Sequence, residues 1–179
     1  MLGNSDIIGF YEILIMLNNR EKVLEELDKY SIEFELHEHP PTPTIEEAIK
    51  YWGKMDATHC KNLFFRNHKG NKHYLVIFEH KQQLAIKDLE QKLKQGKLSF
   101  ASEKRMAKYL AIKPGSVSLF GLINDTENHV HVFLDKKLLD SKFISFHPND
   151  NTASLRISQD DFQLFLKKSG NNFEFINLY

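Results

Sequence analysis

Two apolar runs joined by a short polar turn constrain the fold of this chain more than any other feature. They lie in the stretch CKNLFFRNHKGNKHYLVIF, residues 60–78. NLFFR and HYLVIF have the length and composition of strands, and NHKGN between them supplies Gly70 for a positive φ. The pattern therefore predicts a β-hairpin. A lysine, Lys61, stands at the start of the first apolar run, where a strand usually takes an apolar or β-branched residue.

The rest of the chain mixes helix and strand patterns. Ile32, Phe34 and Leu36 alternate with polar residues, as in a half-buried strand. Capping motifs predict helices that start after Thr44 and after Ser158. Helices are also predicted over 7–15, 20–30, 88–95 and after Ser102, strands over 97–101, 129–135, 143–148, 152–157 and 173–179, and a loop over 113–125. Because the two types do not alternate strictly, the predicted class is α+β with a mixed sheet.

Length and charge exclude several kinds of protein. The 179 residues suit one domain with a real core. Twenty-four basic and twenty-four acidic side chains cancel, so any contact with nucleic acid is expected to be local. No apolar stretch is long enough for a membrane span, and the N-terminus lacks the basic segment of a signal peptide. With a single cysteine, Cys60, the expected location is the cytoplasm.

The nine histidines do not form a metal-binding motif. Two pairs lie two residues apart, His37 with His39 and His129 with His131, but no further compact Cys or His motif accompanies them. We interpret them as surface or loop residues, and Cys60 as a small buried thiol rather than a nucleophile. Nucleotide-binding and hydrolase-elbow motifs are also missing from the sequence. No metal or organic cofactor is expected.

Three stretches hold residues suited to chemistry. Lys61 would fix a positive charge for a carbonyl or a phosphate if it points into a cleft. The stretch GSVSLFGLIND, residues 115–125, has glycines that let a ligand approach backbone N–H donors. FHPNDNT, which ends at Thr152, brings a titratable ring and two amides together. Taken singly, each stretch is more typical of a solvated lysine, a turn or a plain loop.

Taken together and in order, these blocks resemble the YbaK-like superfamily of aminoacyl-tRNA deacylases, which includes the editing domain inserted in many bacterial prolyl-tRNA synthetases. The similarity is greatest to the freestanding prolyl-tRNA editing proteins, which remove alanine mischarged onto proline tRNA. It predicts an editing domain over 20–179, with 1–19 as an N-terminal helical extension. The blocks are HEHPPTPTIEEA (37–48), CKNLFFRNHKGNKHYLVI (60–77), KLSFASEKRM (97–106), KPGSVSLFGLIND (113–125), VFLD (132–135) and FHPNDNTASL, which ends at Leu155.

The resemblance implies a mixed, strongly curved β-sheet with flanking helices and a pocket for the aminoacylated terminal adenosine. The family's near-invariant lysine falls on Lys61, and its HPN block falls on His147 to Asn149. Leu119 stands where the freestanding members usually have proline, a departure that bears on the shape of the loop. The implied catalytic residues are Lys61 and His147, and the implied substrate-binding residues are Gly115, Ser116, Val117, Phe120, Gly121, Asn149 and Asn151.

The resemblance also implies a function. A proline site excludes the smaller alanine by only about 1–3 kcal/mol, so a second, narrower site must hydrolyse the error. We expect Lys61 to anchor the phosphate of the terminal adenosine or the ester carbonyl, and loop N–H groups to stabilise negative charge. The substrate's own ribose hydroxyl is expected to assist proton transfer. Lys72, Arg66 and Lys113 are candidates for contacts to tRNA phosphates, although each taken singly is more typical of an ordinary solvated charge.

Two alternatives stay open at this point. One is a deacylase for another small aminoacyl group, cysteinyl or seryl. The other is a non-catalytic module that senses an aminoacylated tRNA or a free amino acid. The expected partner is the 3′ terminal adenosine end of an aminoacylated tRNA, with prolyl-tRNA synthetase left open as a second partner, and neither DNA nor a membrane is expected.

Overall fold

A computed structural model describes residues 19–42, 44–53 and 55–179. Within these ranges the chain forms five α-helices and eight strands, so the predicted α+β class is confirmed. The helices are α1 (19–29), α2 (Ile45–Trp52), α3 (Ile86–Leu93), α4 (Glu103–Leu110) and α5 (Gln159–Ser169). The strands are β1 (Phe34–Glu38), β2 (Thr58–Asn67), β3 (His73–Glu79), β4 (Leu98–Phe100), β5 (Val130–Asp135), β6 (Phe143–Phe146), β7 (Ala153–Ser158) and β8 (Phe173–Ile176).

The eight strands form one mixed sheet in the order β1-β7-β6-β2-β3-β5-β8, with β4 paired to β2 off this path. The predicted hairpin is the antiparallel pair β2–β3 near the centre of the sheet. Gly70 lies in its turn with a φ of 71°. Parallel pairs join β2 to β6, β3 to β5 and β5 to β8. The mixed sheet with flanking helices is therefore confirmed.

Both faces of the hairpin are covered, which explains the nearly continuous apolar run of β3. On one face, Phe64 and Leu75 belong to the main core, which also contains residues of α1, α5 and the flanking strands. On the other face, Phe65 and Val76 pack in a second cluster that includes Leu89 and Leu93 of α3. The sheet is thus held rigidly between two apolar layers.

One edge of β2 has a gap, and this gap decides where a site can form. On this edge β2 pairs with β6 at residues 58–59 and with β4 at residues 65–67. In the described part of the chain no strand pairs with this edge over residues 60–64. His59 O accepts from His80 N, so by alternation the backbone groups of Asn62 point away from β3 and toward the gap.

Several local predictions are confirmed. Thr44 caps α2, with its hydroxyl accepting a hydrogen bond from Glu47 N at 3.4 Å. Ser158 caps α5 in the same way, accepting from Asp161 N at 3.1 Å. These motifs act within one helical turn, so no distant contact can override them easily.

Two local predictions are wrong. Lys61 is not at the head of a strand, because β2 begins at Thr58 and its first two residues pair in parallel with β6. The stretch 113–125 is not only loop, because Leu119–Asn124 forms a 3₁₀ helix capped by Ser118. The predicted helix 7–15 and most of the extension 1–19 lie outside the described residues.

None of the helices in the described ranges combines the length and the apolarity needed to cross a bilayer. The same ranges contain no group of three or more His, Cys, Asp or Glu side chains placed to hold a metal ion.

Candidate functional site

A cavity of about 490 Å³ opens at the gap in the β2 edge. Strand β2 forms its floor, α2 and the segment before it form one wall, and the turn after β3 forms another. The loop before the 3₁₀ helix and the residue after β6 close the remaining sides. The lining residues are Thr42, Thr44, Ala48, Trp52, Cys60, Lys61, Asn62, Leu63, Phe78, Gln82, Gln83, Leu84, Gly115, Val117 and His147.

Lys61 projects into this cavity from β2. Its Nζ donates a hydrogen bond to the backbone carbonyl of Gln82 at 3.0 Å, and its side chain is half-buried. An ammonium group has three N–H donors, and this contact uses one. The carbonyl holds the amine in place while the remaining donors stay available to a ligand, so Lys61 presents a fixed positive charge.

His147 faces the same cavity with a defined tautomer. Its Nδ1 lies 3.0 Å from the carbonyl oxygen of Ala153, and a carbonyl only accepts, so Nδ1 carries the proton. Burial lowers the pKa of His147, and nearby His39 lowers it further, whereas the Ala153 bond and Asp150 oppose this. The ring is therefore neutral at pH 7, with a free lone pair on Nε2. That atom can accept a hydrogen bond or a proton.

The aromatic ring of His39 supports this arrangement. It approaches His147 edge-on, with ring centroids 6.3 Å apart, and stacks on Tyr51 of α2 at 5.5 Å. His39 Nδ1 donates to the carbonyl of Pro40 at 2.9 Å, and its Nε2 lies 3.2 Å from the hydroxyl of Ser154. Since both ring nitrogens are engaged, His39 positions its neighbours rather than reaching into the cavity.

The structure brings four of the predicted residues together at the cavity: Lys61, His147, Gly115 and Val117. The other five stand behind its walls. Ser116 and Phe120 are buried, and Phe120 packs edge-on against Phe146 and Phe165. Gly121 lies against α4, where an added Cβ would come within 3.0 Å of Leu110 Cβ.

Asn149 and Asn151 also lie behind the cavity, and both hold the loops that form it. Asn149 is buried with a φ of 60°, and its Nδ2 donates to the carbonyl of Phe120 at 3.2 Å. The backbone carbonyl of Asn151 accepts from Thr42 N at 2.9 Å, which sets Thr42 in the cavity wall. The bonds of Asn149 Nδ2 and of the Asn151 carbonyl are therefore with the protein itself, whereas Asn149 Oδ1 is buried with no hydrogen-bond partner in the described residues.

Leu119 stands at the position where the family resemblance implies a proline. It is the first residue of the 3₁₀ helix, and it is fully buried in the main core. The first helical residue has no intrahelical partner for its N–H, which is why proline is accepted there. A leucine keeps the same backbone and adds apolar packing, so the loop retains its shape.

Other cavity residues escaped the sequence reasoning. Asn62 lines the cavity next to Lys61, and its Oδ1 is buried with no hydrogen-bond partner in the described residues. Trp52 of α2 also lines the cavity and stacks on His59, with ring centroids 4.3 Å apart. Gln82 holds Lys61 through its backbone, which leaves no trace in the side-chain pattern. A polar residue inside an apolar strand was the one available signal, and it pointed to Asn62.

Cys60 lines the cavity as a protonated thiol. Burial raises its pKa, with a further contribution from Glu79. A thiol that holds its proton is a poor nucleophile, so its role in the wall is one of shape.

Comparison with known proteins identifies the family. Residues 39–165 match the model of the aminoacyl-tRNA editing domain, a range that contains every residue of the cavity. The chain belongs to this family. The prolyl-tRNA editing protein ProX of Acetoanaerobium sticklandii is 40% identical over 162 residues, covering 90% of this chain and 99% of that protein. Prolyl-tRNA synthetase associated domain-containing protein 1 of Mus musculus is 31% identical over 157 residues, covering 86% and 92%.

Solved structures show the same editing-domain fold at low identity. The crystal structure of a candidate trans-editing enzyme for prolyl-tRNA synthetase superposes with a TM-score of 0.68 at 19% identity, covering 89% of this chain and 96% of that one. The hypothetical protein APE2540 gives a TM-score of 0.67 at 18% identity, covering 87% and 98%. The chain therefore resembles these solved structures in its fold, although the sequence identity is low.

Proposed function

We propose that this editing-domain protein is a trans-editing hydrolase that deacylates mischarged proline tRNA, with the alanyl ester as its substrate. The observation that carries the proposal is the convergence of Lys61 and neutral His147 on one cavity at an open strand edge. A relative that shares 40% of its residues over nearly its whole length is a prolyl-tRNA editing protein. The proposal places the protein in the cytoplasm, and it does not require a complex with prolyl-tRNA synthetase.

The residues divide the chemistry as follows. An aminoacyl ester is already reactive, so the site must orient water and stabilise the developing oxyanion rather than supply a strong nucleophile. In this proposal the Lys61 ammonium, held by the Gln82 carbonyl, binds the ester carbonyl or the terminal phosphate. The His147 Nε2 lone pair accepts a hydrogen bond from water or from the ribose hydroxyl, while Nδ1 stays bonded to the Ala153 carbonyl. No residue of the cavity needs to be alkylated or acylated in this scheme.

The loop contributes backbone donors, and its hydrogen bonds narrow the choice of amide. Ser116 N donates to Lys113 O at 3.2 Å, and Gly121 N donates to Ser118 O at 3.1 Å. Phe120 N is taken by the Ser118 hydroxyl at 3.2 Å. The amides of these three residues are thus engaged within the loop, whereas Gly115 and Val117 are the loop residues that line the cavity. We assign these two as the donors that face negative charge developing on the substrate.

The experiment is a deacylation panel with the purified protein. Proline tRNA charged with alanine, proline, cysteine or serine is supplied in turn, and release of each amino acid is measured. We expect alanine to be released fastest and proline to be retained. Faster release of cysteine or serine would replace the alanyl assignment. Binding of an amide-linked alanyl-tRNA analogue without turnover of any ester would instead indicate a sensing module.

A further inference from the structure

Phe100 is a large apolar side chain that the fold leaves in solvent. It lies at the end of β4 and is 56% exposed. One face of its ring stacks on buried Phe65, with centroids 4.7 Å apart and an angle of 23° between the planes. The stack fixes the orientation of the ring while its other face stays open. An exposed ring held in this way offers a flat surface to a ligand.

The ring lies farther along the strand that forms the floor of the cavity. Strand β4 pairs with β2 at Phe65, where it bounds the gap that forms the cavity. Lys61, Leu63 and Phe65 share one face of β2, because they are two residues apart. Lys61 and Leu63 line the cavity, so the Phe65–Phe100 stack continues the same face beyond it. Four residues of strand separate Lys61 from Phe65, about 13 Å.

The surroundings of Phe100 are strongly basic in a chain that is neutral as a whole. Residues 66–72 and 97–108 together carry seven Lys or Arg residues and one acidic residue, Glu103. Because the formal net charge of the chain is +0, the remainder carries an excess of six negative charges. Lys97 and Lys104 flank Phe100 in sequence and are exposed. Positive charge is therefore concentrated in these two segments, and Glu90, whose carboxylate accepts from Leu98 N at 2.7 Å, is a further acidic neighbour of β4.

Strand pairing and a half-buried arginine hold this basic edge together. Arg105 of α4 donates to the carbonyl of Gly70 at 2.7 Å and to His73 Nε2 at 2.7 Å. Arg66 pairs in register with Ser99, next to Phe100. The turn after β2, strand β4 and the start of α4 thus form one connected surface. We call Phe100, Lys97 and Lys104 the β4 platform.

We propose that the β4 platform binds the single-stranded 3′ end of the tRNA, with Phe100 stacking on one of the unpaired bases next to the terminal adenosine. This inference rests on the proposed function, because it requires the aminoacylated adenosine to occupy the cavity. Single-stranded nucleic acid is recognised by aromatic rings that stack on bases within a positively charged groove. An exposed ring beside lysines is the combination that stacking on a base next to phosphate groups requires.

The test uses short acceptor-end oligonucleotides that carry an amide-linked alanine, so that binding is measured without turnover. We expect Phe100→Ala to weaken binding about 5- to 30-fold, and Phe100→Trp to restore it. Phe100→Leu keeps apolar area but lacks a ring face, so it should bind as weakly as Phe100→Ala. Full binding by the leucine variant would show that Phe100 serves only packing, and would overturn the proposal.

A second arm locates the stacked base. Oligonucleotides with an abasic site at each unpaired position next to the terminal adenosine are bound to the wild type and to Phe100→Ala. At one position, the abasic site should lower the affinity of the wild type as much as Phe100→Ala lowers the affinity for the intact oligonucleotide. The same abasic site should not lower the affinity of the Phe100→Ala variant any further. Additive losses at every position would contradict stacking. If both proteins bind all the oligonucleotides equally well, the proposal is rejected, and the β4 platform would instead be a candidate site for a protein partner.

The charges are tested by their salt dependence. A Lys97→Ala, Lys104→Ala double variant should reduce the slope of log affinity against log salt by about one to two. The matched control replaces Lys136 and Lys167, two exposed lysines outside residues 66–72 and 97–108, and should leave the slope unchanged.

Hydrolysis of alanyl-adenosine separates this inference from the proposed function. Wild type and Phe100→Ala should cleave that ester equally, whereas failure of the wild type on both alanyl-adenosine and alanyl-tRNA would refute the function itself.

Discussion

The hydroxyl of Ser118 donates a hydrogen bond of 2.6 Å to the backbone carbonyl of His147. These residues belong to two loops that lie 29 residues apart in the chain. The same hydroxyl accepts from Phe120 N, and Asn149 Nδ2 donates to Phe120 O. The loop that carries Gly115 and Val117 is therefore locked to the loop that carries His147, and the two sides of the cavity move as one body.

Replacement of Asn149 tests this lock. Asn149→Ala leaves the buried carbonyl of Phe120 without its donor and places alanine at a φ of 60°. Asn149→Gly loses the same bond but accepts the backbone conformation. We expect the glycine variant to lose about 1–2 kcal/mol of the free energy of unfolding, and the alanine variant about 1 kcal/mol more. Urea denaturation measures both, and a glycine variant less stable than the alanine variant would contradict the backbone argument.

Lys61 is expected to be indispensable for hydrolysis. Lys61→Ala removes the only lysine in the described cavity lining, and the loss of one such charge donor typically costs about 10²- to 10³-fold in rate. The side chain is half-buried and bonded only to a carbonyl, so the fold should tolerate the change. Single-turnover deacylation of alanyl-tRNA measures the effect. Lys81→Ala, which removes an exposed lysine paired with Glu79, is the control, and near-wild-type turnover by Lys61→Ala would exclude the assigned role.

The pH profile of hydrolysis should fall on its acid side at a pH below the ordinary pKa of histidine, because the reaction depends on His147. The reaction uses neutral His147, and burial lowers its pKa, so activity should persist until the pH falls below 6.5. His39→Asn removes a neighbour that lowers this pKa, so the acid limb should move to higher pH. The pH profile of kcat/KM measures the shift. His37→Asn, a change at a partly exposed histidine beside Glu35, should leave the profile in place, and equal shifts in both variants would reject the assignment.

Stability should fall on acidification because of His73. This side chain is fully buried, accepts from Arg105 and lies 2.8 Å from His129 Nε2. Burial, assisted by His129 and nearby cations, lowers the pKa of His73 to about 4. The unfolded chain protonates near 6.5, so this stabilising contribution is complete above pH 6.5 and is lost as the pH falls toward 4.

Urea unfolding between pH 7 and pH 4 measures this linkage. One such group contributes a slope of at most about 1.4 kcal/mol per pH unit. His73→Phe should flatten the dependence even though it lowers stability at pH 7. A slope remains in that variant, because burial also lowers the pKa of His59 to about 4. His68→Ala, in the exposed turn, is the control, and an unchanged slope in His73→Phe would contradict the assignment.

The sequence by itself determined the local elements and the family. Capping at Thr44 and Ser158, alternation around Phe34 and the glycine turn at Gly70 all act through neighbouring residues. Such signals depend on no distant contact, so they can be recognised in the sequence alone. The ordered motifs likewise pointed to the editing family and to Lys61 and His147 before any geometry was known.

Only the tertiary structure decided which of the predicted residues face the cavity and which hold it from behind. Lys61 became a mid-strand residue because β6, more than eighty positions later in the chain, extends β2 by parallel pairing. Asn62 and Trp52 joined the site because the β2 edge stays unpaired between β6 and β4. Strand partners are chosen by contacts between residues far apart in sequence, and no local pattern encodes where an edge is left open.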